Sequence, residues 1–294
     1  MNLSASSRIM TILDKPKHKQ SAFKRSLDLQ NLSGASVDAV AFCWNAMCEN
    51  QAVLKAGERK KLRHALVEER KAWLHELIAD RPKVTERTIW SDDIADWVVD
   101  TIADEGAPDL IVKSAHKSGS LVHTSTDWQL LRTCQAPLLL TQSSGRKPSG
   151  NIVAALDLSH NDTQHRHLNC RVLDAAHEMA QVSGAKIHVV FAVEISRVLR
   201  DLDVVSETVS KARVIEKITP ELNRLLKPYD IPKSRIHMPV GKVGQVVSQT
   251  ARKVKADVLV VGSFAHRVKQ AVGLGNSAER ILSKAVCDVL AVHP

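Results

Sequence analysis

Aromatic residues are scarce: four Phe, five Trp and one Tyr make up 3% of the 294 residues. A core therefore has to be built from Val, Leu, Ile and Ala. Cysteine is sparse as well. Its five copies, Cys43, Cys48, Cys134, Cys170 and Cys287, are odd in number and include no CxxC pair. That argues against a disulfide framework or a zinc module and for a reducing compartment. No stretch approaches the roughly 18 apolar residues that a membrane span needs. The opening segment, "MNLSASSRIMTILDKPKHK", has a short apolar run but no cleavage pattern. A cytoplasmic protein without membrane contact is expected. GxxxxGK[ST] is absent, which excludes a P-loop ATPase.

Charge is plentiful and mixed. The formal net charge is +9 and the pI about 9.4, which invites a polyanion partner. Residues 1–150 carry +3 and residues 151–294 carry +6, with acids and bases interspersed, which argues against nucleic acid. In Gln51–Asp80, Leu62, Leu66, Trp73 and Leu77 fall near one helical face. The basic cluster Arg59, Lys60, Lys61 and Arg63 lies largely elsewhere, as on the solvated side of a crossover helix.

The chain repeats itself once. "NLSGASVDAVAF" (Asn31 to Phe42) matches "QVSGAKIHVVFA" (Gln181 to Ala192), and "APDLIVKSA" (Ala107 to Ala115) matches "KADVLVVGS" (Lys255 to Ser263). "IMTILD" ending at Asp14 matches "IVAALD" ending at Asp157, and the segments around Cys134 and Cys287 also correspond. The join lies in the Ser-, Gly- and Pro-containing "TQSSGRKPSGN", giving domains at 1–144 and 145–294. Within each copy, short apolar strands alternate with helical spacing. In the second copy the strands fall near Ile152–Leu156, Ile187–Val193, Ile236–Val240, Val258–Val261 and Val289–His293. This predicts an α/β fold of two tandem, doubly wound, Rossmann-like parallel sheets with strand order 3-2-1-4-5.

In that order the first and fourth strands of the second copy are neighbours where the winding reverses, and a crevice opens beyond their ends. Asp157 ends the first strand and Gly262 directly follows the fourth. Gly275 stands before a helix expected near Asn276–Ala285. Glycines and a helix start suit an anion, with Asn276 and Ser277 able to cap the helix or bond a phosphate. "GLGNSA" superficially matches GxGxxA, but it does not directly follow a strand, so a dehydrogenase reading fails.

The spacing Gly262, Ala265, Gly275, with Asn276 and Ser277 after it, resembles the G-x2-G-x9-G-[ST] motif of the universal stress protein family, in its tandem two-domain type. The resemblance covers nearly the whole chain. It implies that Asp157 and Ala192 border adenine and ribose, and that Gly262, Ser263, Gly275, Asn276 and Ser277 border phosphates. Ala265 departs from the family's second glycine and Asn276 from its usual Ser or Thr; His266 and Arg267 stand where they could meet phosphate. The implied ligand is ATP or a related adenine nucleotide, with or without Mg. The implied role is regulatory, in survival under stress including DNA damage.

The first copy has diverged. Lys113 is read at the glycine position, with no following glycine pair, so Lys113 fills the space or pairs with an acid such as Asp14, and no ATP is expected there. The two copies are expected to pair through Leu138–Leu140 and Val289–Val292 as a pseudo-dimer, with a homodimer left open. No nucleophile–base pairing emerges, so no catalytic residue is assigned; a slow ATPase acting through Asp157 is the most that enzymology offers. The alternative is a nucleotide-free interaction module, or a carrier of another small molecule in the first copy. "SHNDTQHRHLNC" carries His160, His165, His167 and Cys170. On a helix His165 and His167 point about 200° apart, so no metal is assigned.

Overall fold

The computed structural model describes residues 3–115, 126–142, 148–160, 162–194, 207–264 and 277–294. The chain divides into two compact units, residues 2–143 and residues 144–294. Among the described residues, no helix is long and apolar enough to cross a membrane.

In the first unit the strands are β1 (Arg8–Ile12), β2 (Ser36–Cys43), β3 (Val84–Trp90), β4 (Leu110–Ser114) and β5 (Leu138–Thr141). They form a parallel sheet in the order β3-β2-β1-β4-β5. Helices α1 (Ser21–Ser33), α2 (Ala56–Ile78), α3 (Ile94–Glu105) and α4 (Thr126–Thr133) make the connections. Strands β4 and β5 are buried throughout, as expected of a sheet covered on both faces. Strand β3 ends the row and is only partly covered. There Arg87 forms a two-pronged pair with Glu105, at 2.7 and 2.8 Å, and reaches buried Asp38 at 2.9 Å.

Helix α2 turns the sequence-read apolar face inward. Leu62, Leu66, Trp73 and Leu77 are only half-buried; the fully buried positions are Leu74 and Ile78. The guanidinium of Arg63 lies over Trp90 and that of Arg70 over Trp73, so arginine stems and charges cover aromatic rings beside that face.

The second unit repeats the plan with β6 (Asn151–Leu156), β7 (Lys186–Phe191), β8 (Ile236–His237), β9 (Val258–Gly262) and β10 (Asp288–Val292). All pairings within it are parallel, in the order β8-β7-β6-β9-β10. Its helices are α5 (Thr163–Ser183), α6 (Glu207–Leu226), α7 (Val243–Lys253) and α8 (Ser277–Leu282). The third strand, expected to run from Ile236 to Val240, is shorter. After His237 only a bridge between Val193 and Val240 continues it, and Pro239, which lacks an N–H, stands in that stretch.

The repeat is visible in single residues. Gly34 and Gly184 end α1 and α5 in the left-handed conformation, at φ 76° and 66°, which an L side chain resists. Asp109 accepts from the Arg8 N–H at 2.8 Å, and Asp257 accepts from the N–H groups of Ser149, Gly150 and Asn151. In each unit a carboxylate before the fourth strand thus clamps the start of the first.

On β7 and β8, His188 Nδ1 lies 3.1 Å from His237 Nε2, with the rings stacked. Burial depresses both imidazoles below their ordinary pKa. The neighbouring charges of His237, Arg235 and Lys186 add to this for His188, and Lys253 adds for His237. Groups whose folded pKa is lowered stabilise the fold fully above the unfolded value, about 6.5 for His, and lose that contribution as pH falls below it. The urea midpoint should therefore fall between about pH 6.5 and 5, and the fall should be shallower in His237→Gln. An identical profile in the variant would remove the pair from this role.

Candidate functional site

Strands β6 and β9 are hydrogen-bonded neighbours, with Ala155 opposite Val261. Beyond their carboxyl ends opens a cavity of about 680 Å³. Asp157, Ala192 and Gly262, three of the residues expected at a ligand, line it together. Ser263 does not. It is buried, its N–H donates to the Val292 carbonyl at 2.9 Å, and its own carbonyl accepts from His293 Nδ1 at 2.8 Å. The ladder between β9 and β10 runs on through it and holds it away from the opening. Ala265, His266, Gly275 and Asn276 lie outside the described residues. Ser277 begins α8, a helix of six residues that is shorter than the expected Asn276–Ala285.

Gly262 has a reason that the motif does not state. A Cβ placed there would sit 2.6 Å from Leu168 Cγ and 2.7 Å from its Cδ2. The missing side chain lets α5 pack onto the end of β9. Leu168 belongs to a helix that begins early: Asp162 caps it by accepting the His165 N–H at 3.0 Å, and the helix runs 21 residues against 13 in α1. The additional turns bring His165, Arg166 and Leu168 to the cavity.

Asp157 stands half-exposed at the rim. The Asn169 amide fixes its backbone, accepting from the Asp157 N–H at 2.9 Å and donating to its carbonyl at 2.7 Å. Burial pushes the Asp157 carboxyl up, but hydrogen bonds from the Ser159 hydroxyl and N–H and from His160 outweigh it and hold the carboxyl below its ordinary value. It is therefore an anion at neutral pH. Opposite charges also border the space: Arg166, Lys217 and Arg280 beside Glu194 and Glu221. The aromatic edge is Phe264, whose ring meets His165 at 4.9 Å.

The first unit answers differently at the equivalent place. Its Gln20 amide repeats the role of Asn169, accepting from the Asp14 N–H and donating to the Asp14 carbonyl. Strand register shows that Lys113 does not stand at the glycine position. Ile12 pairs with Lys113 where Ala155 pairs with Val261, so Lys113 corresponds to Val261 and Ser114 to Gly262. The Ser114 hydroxyl donates to Asp14 Oδ2 at 2.5 Å and accepts from the Ala22 N–H at 3.2 Å. Asp14 is buried as a result. Lys113 pairs with Asp127 of α4 at 2.7 Å and donates to the Ser114 carbonyl at 3.0 Å. Its partner is therefore Asp127, since adjacent strand residues point to opposite faces and Asp14 is held by Ser114.

A model of the universal stress protein family matches residues 6–142 and again residues 150–293. The chain belongs to the universal stress protein family. Its tandem pair of family domains spans nearly the whole sequence. It is 24% identical over 297 residues to universal stress protein E of Escherichia coli strain K12, covering 97% of this chain and 93% of that one. It is 33% identical over 144 residues to universal stress protein A homolog 1 of Coxiella burnetii, which covers 48% of this chain and 94% of that relative. A solved structure of a functionally unknown protein from Pseudomonas aeruginosa PAO1 superposes with a TM-score of 0.68 at 22% identity, covering 98% of this chain and 92% of that one. That likeness concerns the fold.

His160, His165, Asn169 and Phe264 were not singled out as ligand-bordering from the sequence. The readable signal was the spacing D-x2-H-x4-H from Asp157 to His165. Gly262 offers a direct check of the packing: Gly262→Val should cost about 1–3 kcal/mol, the usual range for overpacking. Adding Leu168→Ala should return part of that loss in urea denaturation. An uncompensated loss in the double variant would show that Leu168 is not what requires glycine.

Proposed function

We propose that the second domain binds an adenine nucleotide of the ATP type and that the protein acts as a regulatory binder rather than an enzyme. What supports this most is the contrast between the two units at one equivalent position. In the second, the end of the first strand borders an open cavity of about 680 Å³. In the first, Ser114 bonds the corresponding carboxylate. Ligands of doubly wound sheets sit beyond the carboxyl ends of the strands where the winding reverses, and this cavity has a size usual for small-molecule sites.

In this reading Asp157 and Ala192 border the sugar and base, with Val172 and Val247 supplying apolar contact. Arg166, Lys217 and Arg280 attract the phosphates, and the family motif adds Ala265, His266, Gly275 and Asn276 as expected phosphate neighbours. If the site is used with Mg, Asp157 supplies the ionised oxygen; no hydrolytic step is assigned to it. A cytoplasmic location and a function under stress accompany the proposal.

Calorimetric titration with ATP, ADP and AMP tests it. We expect micromolar binding of ATP to the parent protein and at least tenfold weaker binding to Asp157→Ala, about 1.4 kcal/mol. No heat with any of the three nucleotides, in protein shown to be folded, would contradict the reading and favour the interaction module.

A further inference from the structure

A second chemistry is built into the rim of the same cavity. One donor atom each from Asp157, His160 and His165 lies within 4.8 Å of the other two. His160 Nδ1 is 3.1 Å from Asp157 Oδ2, and His165 Nε2 is 4.0 Å from the same carboxylate oxygen. Tetrahedral zinc with bonds of about 2.0–2.1 Å places its ligand atoms roughly 3.3 Å apart. One separation is already near that value. The other, at 4.0 Å, closes by well under 1 Å, a movement available to the half-exposed Asp157 carboxylate.

Two of the three residues, Asp157 and His165, are fixed through their other side. Asp162 Oδ2 lies 2.6 Å from His165 Nδ1, while Asp162 Oδ1 accepts that residue's backbone N–H. A carboxylate that takes the Nδ1 proton leaves Nε2 as the lone-pair donor, the arrangement that orients metal-binding imidazoles. The His165 ring is further held between Phe264, edge-on at 4.9 Å, and His160, stacked at 4.3 Å. Ser159 occupies Asp157 Oδ1 from both its N–H and its hydroxyl, so Oδ2 is the oxygen turned to the histidines. Asp157 Oδ2 and His165 Nε2 face each other because their other polar atoms are engaged, and His160 Nδ1 already meets that Oδ2.

We propose that Asp157, His160 and His165 bind a divalent transition-metal ion of the zinc class, oriented by Asp162. Two imidazoles and one carboxylate suit zinc and its neighbours and are too poor in oxygen for magnesium or calcium. Coordination through His160 Nδ1 requires that ring's proton to reside on Nε2, a tautomeric change with no net proton released from a neutral imidazole. Three protein ligands leave a position for water or for an anionic group of a molecule in the cavity. The pairing of His165 with His167 that helix geometry excludes is irrelevant here, since the partner of His165 comes from the loop. This proposal does not rest on nucleotide binding, and its test contains no nucleotide.

The experiment uses the full chain, stripped with a chelator and then titrated with Zn²⁺ in competition with a chromophoric chelator, with Mg²⁺ as the contrast. One Zn²⁺ per chain should bind with submicromolar affinity, and Mg²⁺ should not compete. His160→Ala, at an exposed loop position, should weaken binding about 100-fold. Asp162→Asn should weaken it about 10–100-fold, the usual effect of an orienting partner. Co²⁺ in place of zinc should give visible d–d bands without thiolate charge transfer, which separates this site from binding at the cysteines. Unchanged affinity in His160→Ala, a thiolate band, or no stoichiometric zinc binding by the parent would each overturn the proposal.

Discussion

Each unit has a carboxylate at the end of its first strand, and the group that satisfies it determines what lies beyond the sheet. The backbone around that carboxylate is held alike in both, by Gln20 at Asp14 and by Asn169 at Asp157. Only the side-chain partner differs. Asp14 is bonded from within the protein by Ser114 of the neighbouring strand and is buried. Asp157 is bonded by Ser159 and His160 of its own loop and stays at a rim. A buried carboxylate without such a partner is costly, so the Ser114 bond and the burial of Asp14 belong together.

The open form depends on a chain of local choices. Asp162 starts α5 early, the added turns bring Leu168 over the end of β9, and only a glycine at position 262 accommodates Leu168. Gly244 plays a comparable part where α7 meets α8: a Cβ there would fall 2.8 Å from that of Arg280. Two glycines thus set how closely helices approach the cavity. The shape of the site follows from packing as much as from any ligand.

Much of this was legible beforehand. The repeat, the alternation of strand and helix, and the 3-2-1-4-5 order within each unit follow from periodicity and from the rules of parallel sheets, and the register confirms the order strand by strand. The pairing of Asp157, Ala192 and Gly262 around one space was readable for the same reason. The errors have a common physical source. A one-residue slip in a strand turns a side chain to the opposite face, and that slip exchanged the roles of Lys113 and Ser114. Contacts across a turn are equally hidden: His160 and His165 meet because the loop folds back on α5, which no helical wheel displays. In α2, Arg63 and Arg70 cover aromatic rings, contacts that counting apolar positions does not display.

The central proposal is that the second domain binds nucleotide at the cavity beside Asp157, while the first, whose Asp14 is bonded by Ser114, does not. Photolabelling of the full chain with 8-azido-ATP, followed by peptide mapping, tests this most directly. The account predicts saturable label, competed by ATP, on peptides from residues 150–293 and none on peptides from residues 6–142. Label concentrated on the first domain, shared equally between both, or absent from each would contradict it.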